Sequence, residues 1–242
     1  MQLNQSAALS QHHQPPKVVA FDVFQTCFSL EALLPHLLAL RLPPDALELW
    51  FGRTLRDGFA LTAAGAPYQP FQKVAAAALS GILFDKGHEN KLDHVPHVMQ
   101  AFQSLIAEPD VRPALEMLQQ KGVRVFMLSN GSRETTETLL EKPGLRGLVE
   151  RVISIDEVGQ WKPAPKVYQY AAACAGVDIG QVALVAAHAW DCQGAKQAGL
   201  ITGWVRRKEQ TYSDALDKPH AMANDLPALC RQLINPTNLH EA

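Results

Sequence analysis

The chain predicts an α/β fold, a parallel sheet with crossover helices and a helical subdomain inserted after the first strand. Three observations carry this. Short apolar runs alternate with helix-like segments along most of the chain. The runs are apolar on consecutive residues, as suits strands buried on both faces of a parallel sheet. One interval, residues 29–107, breaks that rhythm with long helical patterns and no clear strand. The 242 residues, 47% hydrophobic and 19% charged, are enough for a sizeable core.

The first strand is expected in KVVAFDVF (17–24). Four others follow in RVFMLSN (124–130), RVISI (151–155), VALVAAH (182–188) and ITGWV (201–205), with helices at about 111–121, 133–141, 164–175 and 191–198 between them. The interval 29–107 holds ALLPHLLALR, DALELWFGRTLRDGFALTAAG and PFQKVAAAALSGILF. A structureless loop of that length is improbable in a compact domain, so it reads as an inserted helical unit. The core is then discontinuous, 17–28 and 108–234, and residues 1–16 and 235–242 read as tails.

Other classes are excluded by composition. The net charge of −2 offers no basic surface for nucleic acid. No run of about 18 apolar residues suggests a membrane span. The N-terminus MQLNQSAALSQHHQPP lacks the basic start and apolar stretch of a secretory signal, and Cys27, Cys174, Cys192 and Cys230 show no paired spacing. A cytoplasmic protein with reduced thiols is expected. Cys27 and Cys192 read as small buried hydrophobes. His94 and His97 are spaced i,i+3, but Pro96 lies between them and no third ligand is evident, so no metal site is expected there.

Chemistry-bearing residues fall at four stations at or near the predicted strand ends: Asp22-Val23-Phe24-Gln25-Thr26, Ser129-Asn130-Gly131, Lys162-Pro163 with Val167-Tyr168, and His188-Ala189-Trp190-Asp191. Right-handed crossovers bring strand C-terminal ends to one edge, where such sheets place their sites. A carboxylate, a hydroxyl, an ammonium and a second carboxylate together make a complete set for covalent hydrolysis. Blander readings stand beside these. Asp22 could cap a turn, Ser129 and Asn130 could satisfy turn backbone groups, and Asp191 could be the N-cap of a helix beginning CQGAKQAG. Phe24 and Trp190 could be packing residues.

With these stations in order, the chain resembles the haloacid dehalogenase superfamily from Val18 to about Arg207. The resemblance implies a Rossmann-like core with a cap inserted after the first strand. Superfamily phosphatases carry a second aspartate two positions after the nucleophile; here that residue is Phe24, which suits an apolar wall. One nucleophile plus an isolated Asp191 is a poor Mg²⁺ cage. FDVFQT, LSNGS, KPAPKVY and AWDCQGA are similar to the L-2-haloacid dehalogenase branch, which needs no metal or other cofactor.

The resemblance implies that Asp22 attacks the halogen-bearing carbon of a small 2-halo carboxylic acid. Water then hydrolyses the ester, assisted by a group such as Asp191. Thr26 and Ser129 position carboxylates, Asn130 lines the pocket, Lys162 keeps Asp22 ionised, and Tyr168 steadies Lys162 or the substrate. Phe24, Phe51, His188 and Trp190 are further candidates for the substrate pocket.

Five positions depart from the branch, among them Ala186 and Ala187, which stand where two serines are usual. The branch's arginine after a Leu-Trp pair, which helps hold the departing halide, is here Phe51. Arg53 is about 200° further around a helix, so Arg53 or Arg56 would serve only after a change of register. His188 stands where an asparagine is usual and could donate to substrate or orient water. Gln25 replaces a glycine. Two alternatives remain open: a hydrolase of another small substrate such as a phosphate ester, and a binding protein that kept the fold without turnover. The insert's apolar stripes form its own core and its contact with the sheet; some could equally form a homodimer face, as related dehalogenases often use.

Overall fold

A computed structural model describes residues 14–235. The expected tails therefore lie, for residues 1–13 and 236–242, outside the described residues. Strand β1 is Val18–Phe21, followed by a two-residue strand β2, Phe28–Ser29. Helices α1 (Leu34–Ala39), α2 (Ala46–Ala63), α3 (Phe71–Asp85) and α4 (Val95–Ala101) come next, then β3 (Ile106–Ala107). The remaining elements are α5 (Val111–Gln120), β4 (Arg124–Ser129), α6 (Arg133–Glu141), β5 (Arg151–Ser154), α7 (Pro165–Ala175), β6 (Val182–Ala186), α8 (Ala189–Gln197), β7 (Ile201–Val205), β8 (Ala221–Ala223) and α9 (Leu226–Ile234).

The main sheet has the order β5-β4-β1-β6-β7-β8, parallel at every pairing. All four residues of β1 and all five of β6 and of β7 are buried, which requires cover on both faces. Helix α5 packs beside α9, and α7 beside α8. Their sequences explain this: Val111, Ala114, Leu115 and Leu118 of α5 recur at helical spacing and are buried.

The chain lays β4 and β5 on one side of β1, then crosses back to lay β6, β7 and β8 on the other. The sheet order thus reverses at β1, and the C-terminal ends of β1, β4 and β6 lie side by side. A crevice at such a reversal is where parallel sheets bind ligands.

Four of the five expected strands end one to three residues early, because Asp22, Val23, Phe24, Asn130, Ile155, Ala187 and His188 turn out of the sheet, while β7 ends at Val205 as expected. The interval expected to hold no strand begins and ends in one: β2 pairs antiparallel with β3, Phe28 opposite Ala107 and Ser29 opposite Ile106. Two residues are too few to leave a pattern. Between these strands lie only helices, α2 and α3 being the most closely packed pair. Trp50 Nε1 donates to the Ala75 carbonyl at 2.7 Å across that contact.

Candidate active site

Asp22 is the first residue past β1, its backbone N–H still donating to Val185 O at 2.9 Å. The chain then turns sharply, and Cys27 and Phe28 N–H both return to the Val23 carbonyl. The turn puts Thr26 back against Asp22. Its hydroxyl donates to Asp22 Oδ2 at 2.7 Å and accepts the Ala187 N–H at 2.9 Å. One threonine therefore orients the carboxylate and ties it to the end of β6.

Lys162 Nζ lies 3.0 Å from Asp22 Oδ1 and 2.8 Å from Asp191 Oδ2, and its side chain is wholly buried. Burial alone would pull its pKa down, but the Asp191 and Asp22 carboxylates outweigh it and the net shift is upward. The ammonium stays charged. Burial raises the pKa of Asp191, opposed by Lys162; an ammonium at 2.8 Å keeps this carboxylate ionised. Tyr168 does not reach Lys162 directly. Its hydroxyl donates to Asp191 Oδ1 at 2.6 Å, so it steadies the lysine through Asp191. Burial pushes the phenol well above its ordinary pKa, which keeps it a donor.

Asp191 is not the N-cap of its helix. That position is His188, and Asp191 sits in the first turn of α8. The free N–H of Ala189 is instead taken by Glu209 Oε2 at 3.1 Å, from the loop after β7. This frees the Asp191 carboxylate to face Lys162.

Ser129 and Asn130, at the end of β4, both bond backbone groups. Ser129 Oγ accepts Gly131 N–H at 2.9 Å, and Asn130 Oδ1 accepts Lys162 N–H at 3.2 Å. Asn130 thereby fixes the lysine's backbone. Phe24 is buried, with Phe71 and Phe102 ring centroids at 5.1 and 5.4 Å. It is an apolar side chain packed against the inserted helices.

His188 follows β6 and gathers the departures into one cluster. Its Nε2 lies 2.8 Å from Gln25 Oε1, its ring stacks on Trp190 at 5.5 Å, and Phe51 of α2 lies 5.8 Å away. Trp190 in turn meets Phe59 at 5.0 Å. No change of register brings an arginine here. Arg53 pairs with Asp85 of α3 at 2.6 Å, and Arg56 with its neighbour Asp57 at 2.8 Å. Trp50 occupies the face of α2 toward α3, and the next residue, Phe51, turns toward His188.

Two features were not read from the sequence. Trp161 is buried and joins the insert to Lys162: its indole N–H donates to Gln69 O at 2.9 Å and its backbone N–H to Thr62 Oγ1 at 3.2 Å. Gly58 makes room for it, since a Cβ there would lie 2.4 Å from the indole. Gly194 likewise lets α8 approach Pro163 and Tyr168, which a Cβ would meet at 2.5 and 2.8 Å. The position of Trp161 immediately before Lys162-Pro163 was the available signal. Among the described residues no group of three or more His, Cys, Asp or Glu side chains is placed to hold a metal ion. Cys27 and Cys192 are buried thiols, pushed well above their ordinary pKa by burial.

Comparison with known proteins agrees with this geometry. The family model "haloacid dehalogenase-like hydrolase" matches residues 16–199. The chain is 30% identical to (S)-2-haloacid dehalogenase 1 of Pseudomonas sp. (strain CBS-3), covering 90% of this chain and 98% of that one. It is 28% identical to haloacetate dehalogenase H-2 of Moraxella sp. (strain B), covering 84% and 89%. A solved L-2-haloacid dehalogenase superposes with a TM-score of 0.84 at 27% identity, over 91% of this chain and 99% of that one. The chain belongs to the haloacid dehalogenase-like hydrolases, on the branch of the L-2-haloacid dehalogenases.

Proposed function

We propose that this protein is a cytoplasmic, metal-independent hydrolase that converts a small 2-halo carboxylic acid into the 2-hydroxy acid through an ester on Asp22. The observation that carries this is a buried aspartate neutralised by a lysine, with Phe24 two positions on. Thr26 and Lys162 each occupy one lone pair of Asp22, leaving one on each oxygen for attack. Asp22 bonds to the carbon bearing the halogen, the carbon–halogen bond breaks, and halide leaves with the electron pair. Water then adds to the Asp22 carbonyl and releases the hydroxy acid, restoring the carboxylate.

The same geometry supports metal independence. The Lys162 ammonium bridges the Asp22 and Asp191 carboxylates, and Phe24 offers no side-chain oxygen two positions after Asp22, which leaves few carboxylate ligands for a divalent cation. The helices between β2 and β3 act as the cap, and Phe51, Phe24 and Trp190 supply an apolar pocket wall with His188 among them. The relatives named for (S)-2-haloacids and haloacetate support a substrate of this size.

Purified protein is expected to release halide from L-2-chloropropionate or haloacetates, undiminished by a chelator, and Asp22→Asn is expected to abolish it. Release unaffected by Asp22→Asn sinks the mechanism. Mg²⁺-dependent turnover of a phosphate ester, with no halide release, replaces the reading.

A further inference from the structure

Gln25 takes a left-handed backbone conformation, φ 63°. For an L-residue other than glycine this is strained, and such strain persists where surrounding structure holds it. Its side-chain carbonyl lies 2.8 Å from His188 Nε2. An accepting amide carbonyl requires Nε2 to carry a proton, so in the neutral ring Nδ1 bears a bare lone pair.

Nδ1 is buried and has no hydrogen-bond partner among the described residues. A buried acceptor left without a donor is destabilising. The ring is held by Gln25, Trp190 and Phe51. Burial lowers its pKa; Asp22 and Glu209 oppose that, while Lys162 and Lys208 add to it. The outcome is a neutral imidazole that feels the Asp22 charge and lies one residue past the Ala187 N–H that Thr26 ties to the carboxylate.

The other groups at the site are poor bases. Asp191 is wholly buried behind Lys162 and Tyr168, which bond one oxygen each, Lys162 is held protonated between two carboxylates, and the Tyr168 phenol is committed as a donor.

We propose that His188 is the general base for hydrolysis of the Asp22 ester, with Gln25 as the positioning residue that fixes its tautomer. This rests on the reading of Asp22 as the nucleophile. Nδ1 removes one proton from water as the water oxygen bonds to Asp22 Cγ. The tetrahedral adduct breaks its bond from Cγ to the ester oxygen, and Nδ1–H returns the proton to the departing alkoxide of the 2-hydroxy acid. The other water proton stays on the new Asp22 carboxyl and passes to solvent. The arrangement is that of a base held by an orienting acceptor on its second nitrogen.

The test is rapid-quench kinetics with L-2-chloropropionate on wild type, His188→Ala and Gln25→Glu, with mass analysis of the peptide that contains Asp22. His188→Ala is expected to release about one halide per site and then stall, its steady state slower by about 10²–10⁴-fold, with the ester mass accumulating on that peptide. Imidazole is expected to restore part of the rate. The wild-type steady state is expected to fall in acid as His188 takes a proton. Gln25→Glu, which puts a carboxylate on Nε2, is expected to move that fall to higher pH.

Unchanged steady state in His188→Ala, or a first turnover slowed as much as the steady state, overturns the role of His188 while leaving Asp22 as nucleophile. An unmoved acid limb in Gln25→Glu overturns it too, even if His188→Ala does not fold. No halide from wild type overturns the haloacid reading, and this proposal with it.

Discussion

Lys162 governs the charge balance of the site. Two carboxylates face it at 3.0 and 2.8 Å, and water reaches none of its surface. Removing one partner from a buried ion cluster leaves uncompensated charge, which costs about 3–5 kcal/mol. Lys162→Met is expected to lose stability in that range at neutral pH, measured by denaturant unfolding, along with activity. The loss is expected to shrink in acid as the raised-pKa carboxyl of Asp191 takes a proton. Equal stability of variant and wild type contradicts the ion cluster. Asp22, Thr26, Lys162 and Asp191 were legible because their residue types at strand ends make chemical sense together. The bond from Tyr168 to Asp191 was not, because nothing in the spacing of either residue says which group the hydroxyl reaches. Nor was Glu209 as the partner of Ala189 N–H, since the loop after β7 carries no pattern that places it.

At the scale of elements, α2 decides what the insert offers the site. Its helical phase sends Trp50 toward α3, Phe51 toward His188 and Arg53 toward Asp85. That α2 brings Phe51 and no arginine against His188 follows from this phase, not from any shortage of arginine. Arg53→Ala is expected to leave halide release unchanged and to cost no more than about 1 kcal/mol, as exposed ion pairs do. Gly58→Val, by contrast, drives a side chain into Trp161. It is expected to cost about 1–3 kcal/mol by overpacking and to slow turnover by displacing the segment that carries Lys162. Full activity in Gly58→Val together with loss in Arg53→Ala reverses this assignment. Long elements were legible here because periodicity accumulates over many residues. The β2–β3 pair, β8 and the contact of α2 with Trp161 were not, being two or three residues long or wholly tertiary.

Over the whole molecule, the reversal of strand order at β1 gathers residues far apart in sequence. Val18–Phe21 pairs with β4 on one side and β6 on the other, and the turns after these three strands supply Asp22, Asn130 and His188. The parallel sheet was legible from apolar runs, whereas the order of strands followed only from topology. The fold also contributes a pH dependence. His188, held below its ordinary 6.5 by burial, adds stability that is present above 6.5 and lost as pH falls through its folded-state value. The stability difference between wild type and His188→Asn is expected to change in favour of the variant as pH drops from 6.5 through that value. A difference that stays constant from neutral to acid pH excludes a buried neutral His188.

The central claim is that Asp22 itself bonds to the substrate carbon. A single turnover with excess enzyme in water labelled with heavy oxygen tests it directly. The hydroxy acid of that turnover is expected to carry unlabelled oxygen from Asp22, with the label recovered in the peptide containing Asp22. Label appearing in the product of the first turnover, and none in that peptide, would contradict it.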